Sequence, residues 1–169
     1  MNQLLFYLLQ VIAASGLLYG YYHFAVADKR DLVRISLLFA LAFASLSSIN
    51  YFVQLTVVRL NIEAGSVEGL EHFVQANPLS VMTAIAMLGW TLFLGLSSFF
   101  IYPVFKGPGV MKVLRYTFLF NGISCLLAGI GYALKIDVLT FFFANIGTGG
   151  AILIASICSI ILFRRELKK

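Results

Sequence analysis

Apolar residues run through this chain in long unbroken stretches, separated by a few short polar breaks. Runs of about twenty residues without a charge are each long enough to cross a hydrocarbon core of about 30 Å as a helix. They lack the two-residue alternation of barrel strands. Inside hydrocarbon every backbone N–H and C=O must be paired within the protein, so helices are the predicted element. Five spans are predicted: TM1 4–27, TM2 32–58, TM3 79–105, TM4 110–134 and TM5 138–163, with a cytoplasmic tail at 164–169. The expected fold is therefore all-α and integral to the membrane, a five-transmembrane-helix bundle forming a single membrane domain, 1–169. Ala25-Val26-Ala27 resembles a signal-peptide cleavage sequence. No Lys or Arg precedes that first run, however, and it is longer than a signal core. Cleavage would also leave Lys29, Arg30 and Arg34 on the trans side, so a retained helix is expected.

The one long polar interruption is 59–78, which holds Glu63, Glu68, Glu71 and His72. Within it Ser66 can cap a helix whose first turn contains Glu68. Val67, Leu70, Phe73 and Val74 would then share one face, and Glu68, Glu71, His72 and Gln75 the other. A short amphipathic helix is predicted here, in the extracytoplasmic loop between the second and third spans. So short a helix needs an apolar support, and it would lie over the bundle mouth as a lid. Asn77-Pro78 ends it, with Pro78 suited to the first turn of the next span.

Small residues recur every fourth position at Ser36, Ala40, Ala44 and Ser48, and again at Gly147, Ala151, Ala155 and Ser159. Such stripes let helices approach closely, as does the Gly16/Gly20 pair. At about 100° per residue, Ser47, Asn50 and Gln54 fall on one side of the second span, away from Ser48.

Charge fixes the expected orientation. Ten of the twelve Lys and Arg residues flank the spans at the connections after TM1 and TM3 and in the tail; only Arg59 and Lys135 lie at the other end. The positive-inside bias places the N-terminus outside, the C-terminus in the cytoplasm and the 59–78 loop outside. The net charge of +5 is thereby accounted for without nucleic acid. With 61% hydrophobic and 11% charged residues the chain is far from soluble-domain composition.

Candidate chemistry is sparse. No Asp or Glu lies deep in a span, which disfavours proton- or cation-coupled transport, and no Walker sequence is present. His23 and His72 are expected at opposite faces, too far apart to share a metal. Cys125 and Cys158 fall in apolar runs and imply no disulfide framework. No catalytic residue, metal or cofactor is implied. What remains are amides: Gln10, Asn50, Gln54 and Asn145 are expected in the outer half of the bundle, with Asn121 deeper. They either bond across helices as polar glue or line a pocket opening outward under the lid.

The segment Tyr51-Phe52-Val53-Gln54-Leu55-Thr56-Val57-Val58-Arg59, continuing through Gly69-Leu70-Glu71 to Gln75-Ala76-Asn77-Pro78, resembles small multi-spanning bacterial inner-membrane proteins. The resemblance covers about thirty residues and implies a helix–lid–helix unit in a bacterial inner membrane, with no activity attached. Size and span count are similar to the tryptophan-rich sensory protein family. With one tryptophan and no Trp-Asn-Pro-type motif, that similarity is architectural only.

Two functional classes lead. In one, the protein binds a small lipophilic ligand or lipid in the outward pocket, sensor- or transport-like, with Gln10, Asn50, Gln54 and Asn145 orienting it and Trp90 supplying an apolar wall. In the other it is a structural or regulatory subunit, and the small-residue stripes are interfaces to a membrane-protein partner, to a second copy, or within the bundle. An intramembrane enzyme is the third and weakest reading.

Overall fold

A computed structural model describes residues 16, 19–22, 25 and 27–166. Among these, every regular element is helical. Four helices are long and apolar enough to cross a membrane: α1 (Ala27–Glu63), α2 (Val81–Val104), α3 (Val110–Ala133) and α4 (Asp137–Arg165). The predicted first span lies largely outside the described residues, as do Gln10 and His23; its end is seen as a helical segment at 19–22.

Helix α1, the predicted second span, is longer than its sequence predicts. The polar residues expected to begin a loop at Arg59 instead continue α1 to Glu63. Their side chains support the helix: Arg59 Nε donates to Leu55 O (2.9 Å), Asn61 Nδ2 donates to Val57 O (2.7 Å), and Arg59 pairs with Glu63 at 3.1 Å. What stops the helix is Gly65, at φ +72°. Its N–H donates to Ile62 O and the next N–H, of Ser66, to Asn61 O, the paired bonds of a Schellman cap. At 37 residues α1 is about 55 Å long, well beyond a bilayer core.

The predicted amphipathic lid helix does not form. Gly69, at φ +71°, interrupts the segment, and only the single 3-10 turn Leu70–His72 follows. Ser66, the expected cap, gives its N–H to the end of α1 instead. Helix α2 then starts at Val81, with Ser80 rather than Pro78 at its entry: Ser80 Oγ accepts from Thr83 N at 3.0 Å.

The four helices pack in chain order, α1 on α2, α2 on α3 and α3 on α4. Small residues and hydroxyls make the close approaches. Ser36 Oγ donates to Ser97 O (2.8 Å) across α1 and α2. Asn121 Nδ2 donates to Ser98 Oγ (2.8 Å) across α2 and α3. At Gly131 a methyl group would sit 2.8 Å from the backbone N of Thr140, and at Gly147 it would meet Ser124 Oγ at 2.7 Å, so α3 and α4 nearly touch. The 19–22 segment closes one end of the bundle. Tyr21 is fully buried among Phe105, Phe118 and Phe163, and its hydroxyl bonds Ser159 Oγ. Since Ser159 donates its own hydrogen to Ala155 O, Tyr21 is the donor.

Burial departs from that of a water-soluble protein in how many polar side chains lie inside and large apolar ones outside. Ser36, Ser47, Asn50, Ser97, Ser98, Asn121 and Ser124 are buried, whereas Leu38, Phe52, Leu79, Val138 and Leu153 are largely exposed. That distribution, with the four long apolar helices, fits a multi-pass membrane protein. One packing consequence is open to measurement. Gly131→Ala has to push the α4 backbone away and is expected to destabilise by about 1–3 kcal/mol, read as a lower melting temperature of the detergent-solubilised protein. Gly149→Ala, whose added methyl meets nothing within 4 Å, is expected to be neutral or slightly stabilising.

Candidate functional site

At the end of the bundle opposite the α2–α3 turn, the 64–80 segment is tied down by three helices. Gln54 of α1 holds it twice: Nε2 donates to Phe73 O (2.7 Å), and Oε1 accepts from Gln75 N (3.1 Å). Thr83 of α2 lies 2.6 Å from Gln75 O and 2.8 Å from Asn77 O, its one hydroxyl hydrogen shared between them. Tyr132 of α3 donates to Pro78 O (2.9 Å). Inside the loop, Asn77 closes the turn, with Nδ2 donating to Glu71 O and Oδ1 accepting from Leu79 N. Each bond satisfies a backbone group that the irregular loop leaves without a helical partner.

Of the four residues expected to form the lid's apolar face, only Leu70 is buried. Val67 is 62% exposed and Phe73 44% exposed, and Val74 is half-buried. The loop is held by amide and hydroxyl bonds instead of an apolar face.

Beneath the clamp, α1 presents Ser47, Asn50 and Gln54 inward, with exposures of 1%, 1% and 8%. Gln54 is fully engaged by the loop. Asn50 Oδ1 and Ser47 Oγ, one and two turns deeper, have no hydrogen-bond partner among the described residues. A buried oxygen left this way costs about 1–3 kcal/mol. Apolar walls stand nearby: Trp90 packs edge-on against Phe43 at 4.9 Å, in one cluster with Tyr51, Phe93 and Leu94. On the outer side, Gln54, Val58 and Ile62 face Gln75 and Ala76 across an open groove of about 630 Å³.

Asn145 is not part of this arrangement. It lies exposed on α4, and its Nδ2 donates to Phe141 O of its own helix at 3.0 Å. A second pair of unpartnered buried oxygens, Asn121 Oδ1 and Ser124 Oγ, lies on α3 where it meets α2 and α4. Sequence reading passed over Thr83 and Tyr132. Thr83 carries a local signal, a hydroxyl three residues after a helix-capping serine, but Tyr132 reaches Pro78 only through tertiary packing.

Three helices contain π-helical turns: Gln54–Val58, Leu88–Phe93 and Phe142–Thr148. Gln54, Trp90 and Asn145 each fall in one of them. Such turns insert an extra residue and recur at functional sites. The side chains under the loop offer neutral donors and acceptors among aromatic walls. That suits recognition by hydrogen bonding and apolar contact more than proton transfer. His72 and Glu71, 3.6 Å apart, are both solvent-exposed on the loop. Among the described residues, no group of three His, Cys, Asp or Glu side chains is placed to hold a metal ion.

Comparison with protein-family models, with curated proteins and with solved structures returned no match.

The clamp makes a direct prediction. Gln54→Leu removes two loop bonds, together about 1–3 kcal/mol, and should raise the open population of the loop about 5- to 150-fold. Limited proteolysis between Gly65 and Gln75 should accelerate by a similar factor. Unchanged cleavage would show that Thr83 and Tyr132 suffice.

Proposed function

We propose that the chain is a multi-pass membrane protein that binds a small lipophilic molecule or lipid beneath the 64–80 loop, in a sensing or transport role. The observation that carries this reading is the pair of buried, unpartnered oxygens, Asn50 Oδ1 and Ser47 Oγ, directly under a loop that Gln54 holds shut. A ligand bearing a hydroxyl or amine would donate to Asn50 Oδ1 while its apolar body packs near Trp90 and Phe43. Gln54 then acts as a latch, not as a contact to the ligand.

The charge bias supports an orientation in which the loop faces outward and the end carrying Lys106, Lys112, Arg164 and Arg165 faces the cytoplasm. The resemblance of 51–78 to bacterial inner-membrane proteins favours that membrane as the location. A subunit role draws less support. Ser36 and Ala40 of one small-residue stripe, and Gly147, Ala151, Ala155 and Ser159 of the other, are buried within this chain, so those positions offer no open face to a partner.

The test is native mass spectrometry of the gently purified protein, with lipid extraction, on wild type and Asn50→Leu. A stoichiometric small molecule is expected in the wild type and at least about tenfold less in the variant. Ligand-free Asn50→Leu should be as stable as wild type or more so, by up to about 2 kcal/mol, because an unpaired buried oxygen is removed. Polar glue predicts the reverse: no bound molecule, and a destabilised variant.

A further inference from the structure

A second groove, of about 630 Å³, runs between α3 and α4 in the half of the bundle away from the loop. Lys112 stands at one end; Tyr116 and Phe120 form one wall, Ile154 the other, and Gly147 and Gly150 the floor. From Lys112 to Phe120 the groove extends about 12 Å along α3. Gly147 is explained by its contact with Ser124, but Gly150 is not: a methyl group there would meet none of the described residues within 4 Å. A glycine inside a helix costs about 0.5–1 kcal/mol relative to alanine, so its place in the groove floor points to something outside the chain that lies close against the backbone. Lys112 is exposed and has no ion pair or hydrogen bond within the described residues. Lys106, Arg115, Arg164 and Arg165 lie toward the same end and are likewise exposed without an ion-pair partner. A second copy of the chain would bring like charges together at this face. An anion is the complementary occupant.

We propose that this groove seats an anionic phospholipid, its phosphate at Lys112 and one acyl chain lying along Tyr116 and Phe120 over Gly147 and Gly150. The site rests on the chain crossing a bilayer, and not on the pocket beneath the loop. The test uses the full chain in nanodiscs or detergent, with dioleoyl phosphatidylglycerol and dioleoyl phosphatidylcholine as probes. Phosphatidylglycerol should raise the melting temperature and survive in native mass spectra, and phosphatidylcholine should do neither. Lys112→Gln is expected to lower phosphatidylglycerol retention about fivefold, the effect of one basic residue at a lipid surface. Lys106→Gln, the same charge change outside the groove, should lower retention by clearly less. Gly150→Leu fills the groove where there is room for the side chain, so it should fold and release the lipid. Asn50→Leu should not affect retention, which separates failure here from failure of the loop site. Equal retention of the two lipids, or equal effects of Lys112→Gln and Lys106→Gln, would overturn the proposal. So would efficient disulfide-linked dimerisation of Gly150→Cys, which would assign the groove to a second copy.

Discussion

Within a bilayer, a chain whose exterior is hydrocarbon-like would have no water at its surface to satisfy a polar group, and this constraint accounts for the way the bundle is packed. The polar side chains that remain between helices must find partners there, or stay unpaired at a cost. Ser36 and Ser97 across α1 and α2, Asn121 and Ser98 across α2 and α3, and Tyr21 of the 19–22 segment with Ser159 of α4 meet it in pairs. A pair as short as Ser36 and Ser97 requires the backbones of α1 and α2 to come close, and the glycines of α3 and α4 let those helices approach their neighbours as tightly. At Gly129, as at Gly131 and Gly147, an added methyl would come within 3 Å of the facing helix. Close packing and polar pairing are thus one requirement. Against that background, the unpaired oxygens of Asn50, Ser47, Asn121 and Ser124 stand out as departures from the rule.

The π-helical turns bear on the same geometry. Four residues along an ideal helix advance the face by about 40°, so over a long helix an inward stripe drifts toward the outside. An extra residue in one turn reverses part of that drift. In α1 the turn at Gln54–Val58 keeps Val58 buried beside Gln54, although Val57 and Leu60 next to it are exposed. In α4 the turn ends where Gly147 and Thr148 become buried, and Ala151, Ala155 and Ser159 continue the inward line.

Much of the helical layout was legible in the sequence, because apolar runs of this length leave the backbone no alternative to helix. Within 59–78 polarity and spacing mislead in opposite directions, the first suggesting a helix end at Arg59 and the second a helix after Ser66, and in both places a glycine decides. Arg59, Asn61 and Glu63 are polar yet helical, since each can bond along its own helix. The conformational signal was Gly65, which sits where a left-handed residue closes the last turn. Gly69 likewise breaks a segment whose spacing alone suggested an amphipathic helix. Ser47, Asn50 and Gln54 could be placed on one face by angle alone. That they share the buried side beneath the loop, while Asn145 faces outward from another helix, depends on which helices neighbour which, and spacing within a helix does not encode that. Nor could sequence reveal that Gln54's amide bonds the loop backbone at Phe73 and Gln75.

The latch reading has an energetic argument behind it. Two neutral hydrogen bonds from Gln54 hold the loop with about 1–3 kcal/mol, and each unpaired oxygen below it costs an amount of the same order. A molecule that satisfied Asn50 and Ser47 would therefore recover about what releasing the loop forfeits, before any apolar contact with Trp90 is counted. Closed-empty and open-occupied states would lie within a few kcal/mol of each other, the range in which a ligand's differential affinity can shift the population. A far stronger clamp would bar entry, and a weaker one would leave the loop open without a ligand. Neutral amide chemistry suits this balance. A carboxylate–lysine latch in the same buried setting would lose much of its Coulombic gain to desolvation and would respond to salt and pH, whereas Gln54 carries no titratable group.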